Sequence, residues 1–317
     1  MKIYGSIAAA LLFISSACWA QSDWNKVNIA DEYKLKVKMK GAADKSFRKH
    51  PTFLNRYTIH QATDMKGSER TASNAVYSEV SLTGISQQQY QDMVNRLYDK
   101  WEKELSNIGL QITDGAKVMQ CKATQKIKKK DKDKDVVTHT GTMGPVPGKR
   151  KLMDGMILGY GANAVTRDLS FFPHNQNTLY TDRKVYGNFF YKVAKDAEVN
   201  LIETNFFVSF ANFDGGRGYK DIKLETKPVI CVNASITITH PKGYTTVFYK
   251  KAPIWGGDDW SEGVFKSKDN KGAATYWGLA RSVDYQMKAN SNAYLKEVEA
   301  IIEAWQKDIA TGLKAEL

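Results

Sequence analysis

The segment 255–262 concentrates the side chains of this chain that are best suited to chemistry. Its sequence is Trp-Gly-Gly-Asp-Asp-Trp-Ser-Glu, and its candidate site residues are Trp255, Asp258, Asp259, Trp260 and Glu262. Two indoles and three carboxylates fit a carbohydrate or peptide platform, and the carboxylates are also the candidate acid and base of a glycan hydrolase. The structural alternative is a tight loop in which the indoles plug the end of a sheet and the aspartates cap the backbone. The sequence favours this alternative, because carboxylates adjacent in sequence tend to point apart.

A basic run is the second candidate. Lys122 to Asp135 holds seven lysines and three aspartates, at the start of a predicted basic loop over 122–155. One interpretation is that this run binds an anionic surface, with Lys128, Lys129 and Lys130 as binding residues. The favoured alternative is a solvated loop or hairpin tip, because alternating Lys and Asp partly cancel and no aromatic residue interleaves for base stacking. The sequence therefore predicts no specific nucleic-acid recognition.

Signatures of common enzymes are missing. The chain contains no G-x-S-x-G and no H-E-x-x-H, which are typical of α/β-hydrolases and zinc peptidases. The five histidines are scattered without the spacing of metal ligands. We therefore predict no metal site, no cofactor, and no catalytic residue outside the segment 255–262.

The N-terminus has the features of a secretory signal over residues 1–20. Lys2 supplies the positive start, Ile7 to Ile14 form a short apolar stretch, and Cys18-Trp19-Ala20 places small residues where a signal peptidase cuts. The apolar stretch is shorter than the roughly 20 residues that span a bilayer. We expect export to the periplasm or the outer membrane, with release into the medium as an alternative.

Loss of the signal leaves a basic chain with two cysteines. The full chain carries 46 Lys and Arg against 34 Asp and Glu, and Lys2 is the only charged residue of the signal, so the mature charge is +11. This excess favours anionic partners. Cys121 and Cys231 remain in what we expect to be an oxidising compartment, where they form either a disulfide or two free buried thiols. The sequence leaves both alternatives open.

Hydrophobic periodicity predicts the elements around these candidates. Ser86 and Gln89 form a capping box, an apolar stripe continues to Ile108, and Gly109 supplies a left-handed stop, so a helix is predicted there. Alternation at period two predicts a long hairpin. The other predicted elements are a strand over Val76–Ile85, a strand over Val118–Cys121, a helix over Arg183–Ala197, the hairpin strands Asn200–Phe210 and Ile230–Ile238, a helical run over Ala274–Met287 and a final helix over Tyr294–Leu313.

These elements predict an α+β (or α/β) fold. We expect a mixed, largely antiparallel sheet with long hairpins, packed against two to four amphipathic helices. The predicted division is a signal peptide at 1–20, an N-terminal segment at 21–70 and an α/β domain at 71–317.

Two stretches carry a family resemblance. Leu97 to Ile112 forms a helix that leads through Gly109 into a strand, and Ala194 to Phe210 leads from Ala-Lys-Asp-Ala-Glu-Val-Asn into a β run. Together with the element order, they resemble the α/β domain of the curli-secretion lipoproteins and of the TolB amino-terminal domain. The resemblance implies an envelope assembly or secretion accessory without catalytic residues. The chain lacks the lipobox and any clear membrane-spanning hairpin of the curli pore proteins, which argues against pore formation.

The sequence therefore favours an exported noncatalytic protein of the cell envelope with an assembly, secretion-accessory or binding role. The predicted partner is an envelope protein or an anionic surface, with homo-oligomerisation as an alternative. Two other functions stay open. One is a secreted glycan or peptide hydrolase that uses the segment 255–262, and the other is a secreted pore-forming protein in which the hairpin Asn200–His240 inserts.

Overall fold

The fold was analysed in a computed structural model. It describes residues 33–35, 47–70, 74–130, 137–138, 142–148, 151–152, 156–157, 165–177, 179–180, 186–217, 222–242, 245–250, 254–270, 274–275 and 278–316. The helices are α1 (Gln87–Asn107), α2 (Ala116–Gln120), α3 (Lys122–Lys130), α4 (Tyr186–Ala197) and α5 (Ser291–Glu316). The strands are β1 (Tyr33–Leu35), β2 (Thr52–Arg70), β3 (Asn74–Thr83), β4 (Ile112–Thr113), β5 (Val137–Thr138), β6 (Thr142–Gly148), β7 (Lys151–Leu152), β8 (Met156–Ile157), β9 (Val165–Phe171), β10 (Leu179–Tyr180), β11 (Asn200–Arg217), β12 (Ile222–Thr239), β13 (Thr245–Lys250), β14 (Ile254–Trp255), β15 (Ser261–Asn270), β16 (Ala274–Thr275) and β17 (Gly278–Ala289). The predicted signal at 1–20 lies outside the described residues.

One mixed sheet organises the chain. Its main path runs β1-β13-β12-β11-β2-β3-β17-β15, and β9 pairs with β2 on the side away from β11. Most neighbours are antiparallel, whereas β2 with β11, β2 with β4 and β3 with β17 are parallel. This arrangement confirms the predicted α+β fold with a mixed, largely antiparallel sheet. The segment 21–70, which the sequence sets apart, contributes β2 to the middle of the sheet.

The long hairpin is confirmed and exceeds its predicted length. Strands β11 and β12 pair from Leu201 with Thr239 to Arg217 with Ile222. A register shift between Ser209 and Ala211 bends β11 where its pairing with β2 ends. The even positions of β11 up to Phe210 and those of β12 from Ile230 to Ile238 face a buried core, as period-two alternation predicts. Beyond the register shift, the odd positions Ala211 and Phe213 of β11 lie in this core instead.

Helices α1 and α5 cover one face of the sheet as a parallel pair. Both follow parallel strands, since β3 leads into α1 and β17 leads into α5. The contacts between the two helices show that they run in the same direction. Near the start of both, Gln89 donates to the hydroxyl of Ser291 over 3.1 Å. Further along both, Lys100 forms an ion pair with Glu303. The capping box of α1 is confirmed. Gly109, two residues after the last residue of α1, has a φ of +94° and so adopts the predicted left-handed conformation.

The opposite face carries a second, smaller core. Helix α4 packs its apolar side against β11, while α2 and α3 pack beside α4. The buried residues that join these elements include Phe53, Val118, Val193 and Leu201. This second core is what places the functional candidate described below.

Three sequence-based predictions are wrong. The run Ala274–Met287 is not a helix but contains β16 and most of β17, because a four-residue apolar spacing satisfies the period of a strand as well as that of a helix. The predicted strand Val118–Cys121 falls largely within helix α2. The predicted loop that begins at Lys122 starts instead with helix α3, because Lys, Ala and Gln are good helix formers.

Candidate functional site

The tryptophan segment 255–262 is docked on helix α5. Trp260 is fully buried and meets Tyr294 edge to face, with ring centroids 4.9 Å apart. Its indole N–H donates to the carbonyl of Gly257 over 2.9 Å, and the Gly257 N–H donates to the carboxylate of Glu297. Both faces of this indole are therefore covered by protein. Trp255, the other predicted stacking residue, is half-buried in β14.

The three carboxylates of this segment differ in their surroundings. Asp258 and Asp259 are exposed in the turn, where the Ser261 N–H donates to the carbonyl of Asp258 over 2.9 Å. Glu262 is exposed and forms an ion pair with Lys288 at 2.7 Å. The segment thus combines a buried indole anchor with an acidic outer surface.

A polar cluster on the sheet was not predicted from the sequence. His60 on β2 lies opposite Ser170 on β9, and its Nδ1 is 2.6 Å from the Ser170 hydroxyl and 3.8 Å from the buried carboxylate of Asp168. Phe207 stacks on the imidazole at 4.3 Å. In a Ser-His-Asp hydrolase, the serine and the carboxylate use different ring nitrogens. Here both groups face the same nitrogen, so this geometry is not that of a catalytic triad.

Cys121 and Cys231 are free and buried. Of the two alternatives that the sequence leaves open for them, the structure therefore shows two free buried thiols and not a Cys121–Cys231 disulfide. Cys231 lies on β12 beside Trp255, and burial raises the pKa of its thiol to about 12, although a hydrogen bond with Ser209 partly opposes this shift. Cys121 lies between α2 and α3, where its sulfur is 3.3 Å from the hydroxyl of Thr124.

A lysine groove, defined by Lys117, Lys122, Lys126, Lys192 and Lys195, lies between α2, α3 and α4. It encloses about 810 Å³, and all five lysines are exposed. The other residues that line it are Gln120, Cys121, Ala123, Asp196, Ala197 and Glu198. The groove is therefore a concave, predominantly basic surface.

Local interactions fix the α2–α3 side of the groove. Gly115 precedes α2 with a φ of +81°, and a Cβ at this position would come within 2.3 Å of the Phe53 ring. The Asp114 carboxylate accepts from the N–H of Ala116 over 3.0 Å and so satisfies a free donor of α2. The hydroxyl of Thr124 donates to the carbonyl of Val118 over 2.8 Å and ties α3 to α2.

Helix α4 supplies the other side. Its buried residues Val193, Ala194 and Ala197 belong to the second core, so Lys192 and Lys195 remain at the surface. The Asp196 carboxylate accepts from the Ala123 N–H over 2.8 Å, which connects α4 directly to the first turn of α3. The groove is consequently held by both an apolar core and a polar link.

Within the described residues, none of the five groove lysines forms an ion pair. Other lysines do: Lys66 pairs with Glu79 at 2.6 Å, and Lys227 pairs with Glu225 at 3.1 Å. Five ammonium groups against two groove carboxylates leave a net charge of +3. Such an arrangement can bind an anion as a set of point charges.

The sequence predicts part of this region. The predicted basic run contributes α3, and the structure places Lys128, Lys129 and Lys130 on the last turn of this helix, with side chains outside the described residues. Lys122 and Lys126 belong to the predicted basic run, whereas Lys117, Lys192 and Lys195 lie outside it and are dispersed in sequence. The available signal was the polar side of the predicted helix that became α4.

Known proteins do not add to this assignment. No helix of the described residues has the length and apolar character needed to cross a bilayer. No family model, no curated protein and no solved structure matches this chain.

Proposed function

We propose that this chain is an exported, noncatalytic protein of the cell envelope that binds an anionic surface through the lysine groove. The predicted export signal and the mature charge of +11 support this location and this class of partner. The observation that carries the proposal is the convergence in one groove of five lysines that form no ion pair within the part of the chain that the structure describes.

The lack of ion pairing matters because charge already compensated within the protein contributes little to a partner. Exposed lysines are ordinarily scattered, and pairs such as Lys288 with Glu262 hold charge within the fold. In the groove, the ammonium groups face solvent from two sides of a concavity. The positive electrostatic potentials of the ammonium groups add within the groove, and this raises the local concentration of anions.

The groove is also prearranged. The bond from Ala123 to Asp196 and the buried contacts of Val193 fix α3 and α4 relative to each other. Binding therefore needs to order only the lysine side chains, and less free energy is lost on association than with a flexible basic loop.

Sedimentation with lipid vesicles tests the proposal. We expect the purified protein to sediment with vesicles that contain phosphatidylglycerol and not with vesicles of phosphatidylcholine alone. The variant Lys117→Gln/Lys122→Gln/Lys126→Gln should weaken binding at least about tenfold, since each lysine near an anionic membrane contributes about 1 kcal/mol. The affinity should also fall as salt is added.

A matched variant separates the groove from net charge. Lys103, Lys296 and Lys307 are exposed on α1 and α5, away from the groove. Their replacement by Gln removes the same charge and should leave most of the binding intact. Equal losses in the two triple variants would show that the protein binds through its overall charge, and the groove proposal would fail.

Fractionation of the native host tests the location. We expect the protein in the periplasm or with the outer membrane, and crosslinking in that fraction should capture an envelope partner. Retention in the cytoplasm would contradict the proposed function.

A further inference from the structure

The lining of the lysine groove restricts its ligand. None of its lining residues in the described part of the chain is aromatic, so the stacking platforms that hold single-stranded nucleic acid are missing from it. The groove thus fits an anion held by charge and hydrogen bonds better than a strand of nucleic acid.

Charge restricts the ligand further. Five lysines with Asp196 and Glu198 leave a net charge of +3. One phosphate monoester carries about −1.5 to −2 at neutral pH and would leave part of this charge uncompensated. Two phosphate groups carry about −3 to −4 and compensate it, and the groove lysines lie on two sides, α2–α3 and α4.

The two carboxylates indicate a second kind of contact. Glu198 ends α4 in the left-handed region with a φ of +54°, where glycine is the usual residue because other side chains are strained. Its carboxylate has no hydrogen bond or ion pair within the described residues. One oxygen of Asp196 accepts from Ala123, which leaves the other oxygen for a ligand. Carboxylates repel phosphate but accept hydrogen bonds from hydroxyl groups.

We propose that the lysine groove binds a compact sugar or polyol that carries at least two phosphate groups. The lysines bind the phosphates, and the carboxylates of Glu198 and Asp196 accept from hydroxyl groups between them. This ligand is either a soluble molecule or the headgroup of a lipid. The proposal rests on the anion-binding function proposed above and specifies its ligand.

Calorimetric titration of the purified protein at constant ionic strength tests this chemistry. The probes are glucose 1,6-bisphosphate, pyrophosphate and orthophosphate. We expect glucose 1,6-bisphosphate to bind at least tenfold more tightly than orthophosphate and several-fold more tightly than pyrophosphate, because only the first probe offers both phosphates and hydroxyls.

The variant Glu198→Gln isolates the contribution of the carboxylate. It should strengthen pyrophosphate binding by removing repulsion and weaken glucose 1,6-bisphosphate binding several-fold, so the preference between the two probes falls. The control Glu104→Gln changes a half-buried carboxylate on α1 and should leave this preference unchanged. If both probes shift by the same factor in Glu198→Gln, the proposed hydroxyl contact is wrong.

Vesicles identify the source of the ligand. If glucose 1,6-bisphosphate binds and displaces the protein from vesicles of phosphatidylinositol 4-phosphate, the ligand class is supported with a lipid headgroup as its source. If the soluble probe binds and no anionic vesicle does, the ligand class is supported with a soluble source, and the surface function is overturned. If the protein binds anionic vesicles but its affinities for the three soluble probes follow only the charge of each probe, the sugar bisphosphate inference is overturned, and the surface function stands. If neither binds, both proposals are overturned.

Discussion

The tryptophan segment 255–262 and the lysine groove are both rich in charged or aromatic residues, but the fold uses them differently. In the segment, Trp260 enters the core and Glu262 pairs with Lys288. In the groove, the lysines remain exposed and without ion pairs within the described residues. A conspicuous local pattern can therefore serve stability, whereas a functional surface can be assembled from residues far apart in sequence.

The largest expected effect tests whether the tryptophan segment stabilises the fold. Trp260→Ala should lower the free energy of unfolding by about 3 to 5 kcal/mol, because a fully buried indole is lost and a cavity remains. Chemical denaturation measures this change. The control Phe265→Ala removes an aromatic ring that is 54% exposed and should cost less than about 1 kcal/mol. A similar cost for both variants would contradict the role of Trp260 as an anchor.

Alkaline pH should reveal the burial of the Cys231 thiol. The Cys231 thiol has an ordinary pKa of about 9 when unfolded and about 12 when folded. Below pH 9 it is protonated in both states and has no effect; above pH 9 only the unfolded chain loses the proton, so unfolding becomes more favourable. At pH 10 this amounts to about 1.4 kcal/mol.

Denaturation at pH 8 and pH 10 checks this expectation. The variant Cys231→Ala should lose less stability between these two pH values than the wild type does. Buried tyrosines such as Tyr57 and Tyr294, whose pKa values burial also raises, act equally in both proteins. An unchanged pH dependence in Cys231→Ala would contradict the burial of this thiol.

A smaller effect concerns the link across the groove. Asp196→Ala removes the acceptor for the Ala123 N–H and should cost about 1 kcal/mol, as the loss of other helix caps does. Asp196→Asn keeps an oxygen acceptor and should restore most of this stability. Thermal unfolding of both variants measures the difference, and equal stability of Asp196→Ala and wild type would show that the link does not hold α3 on α4.

The smallest effect is expected for the acids of the tryptophan segment. Asp258→Asn and Asp259→Asn change exposed carboxylates and should alter the free energy of unfolding by less than about 0.5 kcal/mol. They should also leave anion binding unchanged. If either variant abolished a hydrolytic activity of the wild type on glycans or peptides, the structural interpretation of this segment would be wrong.

The contrast also explains what could be predicted from the sequence. Helices α1 and α5 and the β11–β12 hairpin carry long apolar patterns, which the single large core requires. The helix predicted over Ala274–Met287 is wrong, because Val283 and Met287 are spaced by four residues and four is a multiple of the strand period.

The groove could not be predicted in the same way. Lys117 and Lys195 are 78 positions apart, and only the packing of α4 against α2 and α3 brings their helices together. Helix α2 has five residues, too few to show a helical period. The polar cluster of His60 and Ser170 likewise depends on the pairing of β2 with β9. Such sites follow from tertiary contacts and not from local spacing.

One comparison tests the central claim most directly: anionic-vesicle binding by wild type, by Lys122→Gln/Lys126→Gln/Lys192→Gln/Lys195→Gln and by Asp258→Asn/Asp259→Asn. All three proteins should unfold at similar temperatures, since every substitution is at an exposed side chain. We predict that the lysine variant loses binding and that the aspartate variant keeps the wild-type affinity. Full binding by the lysine variant would contradict the assignment of function to the groove.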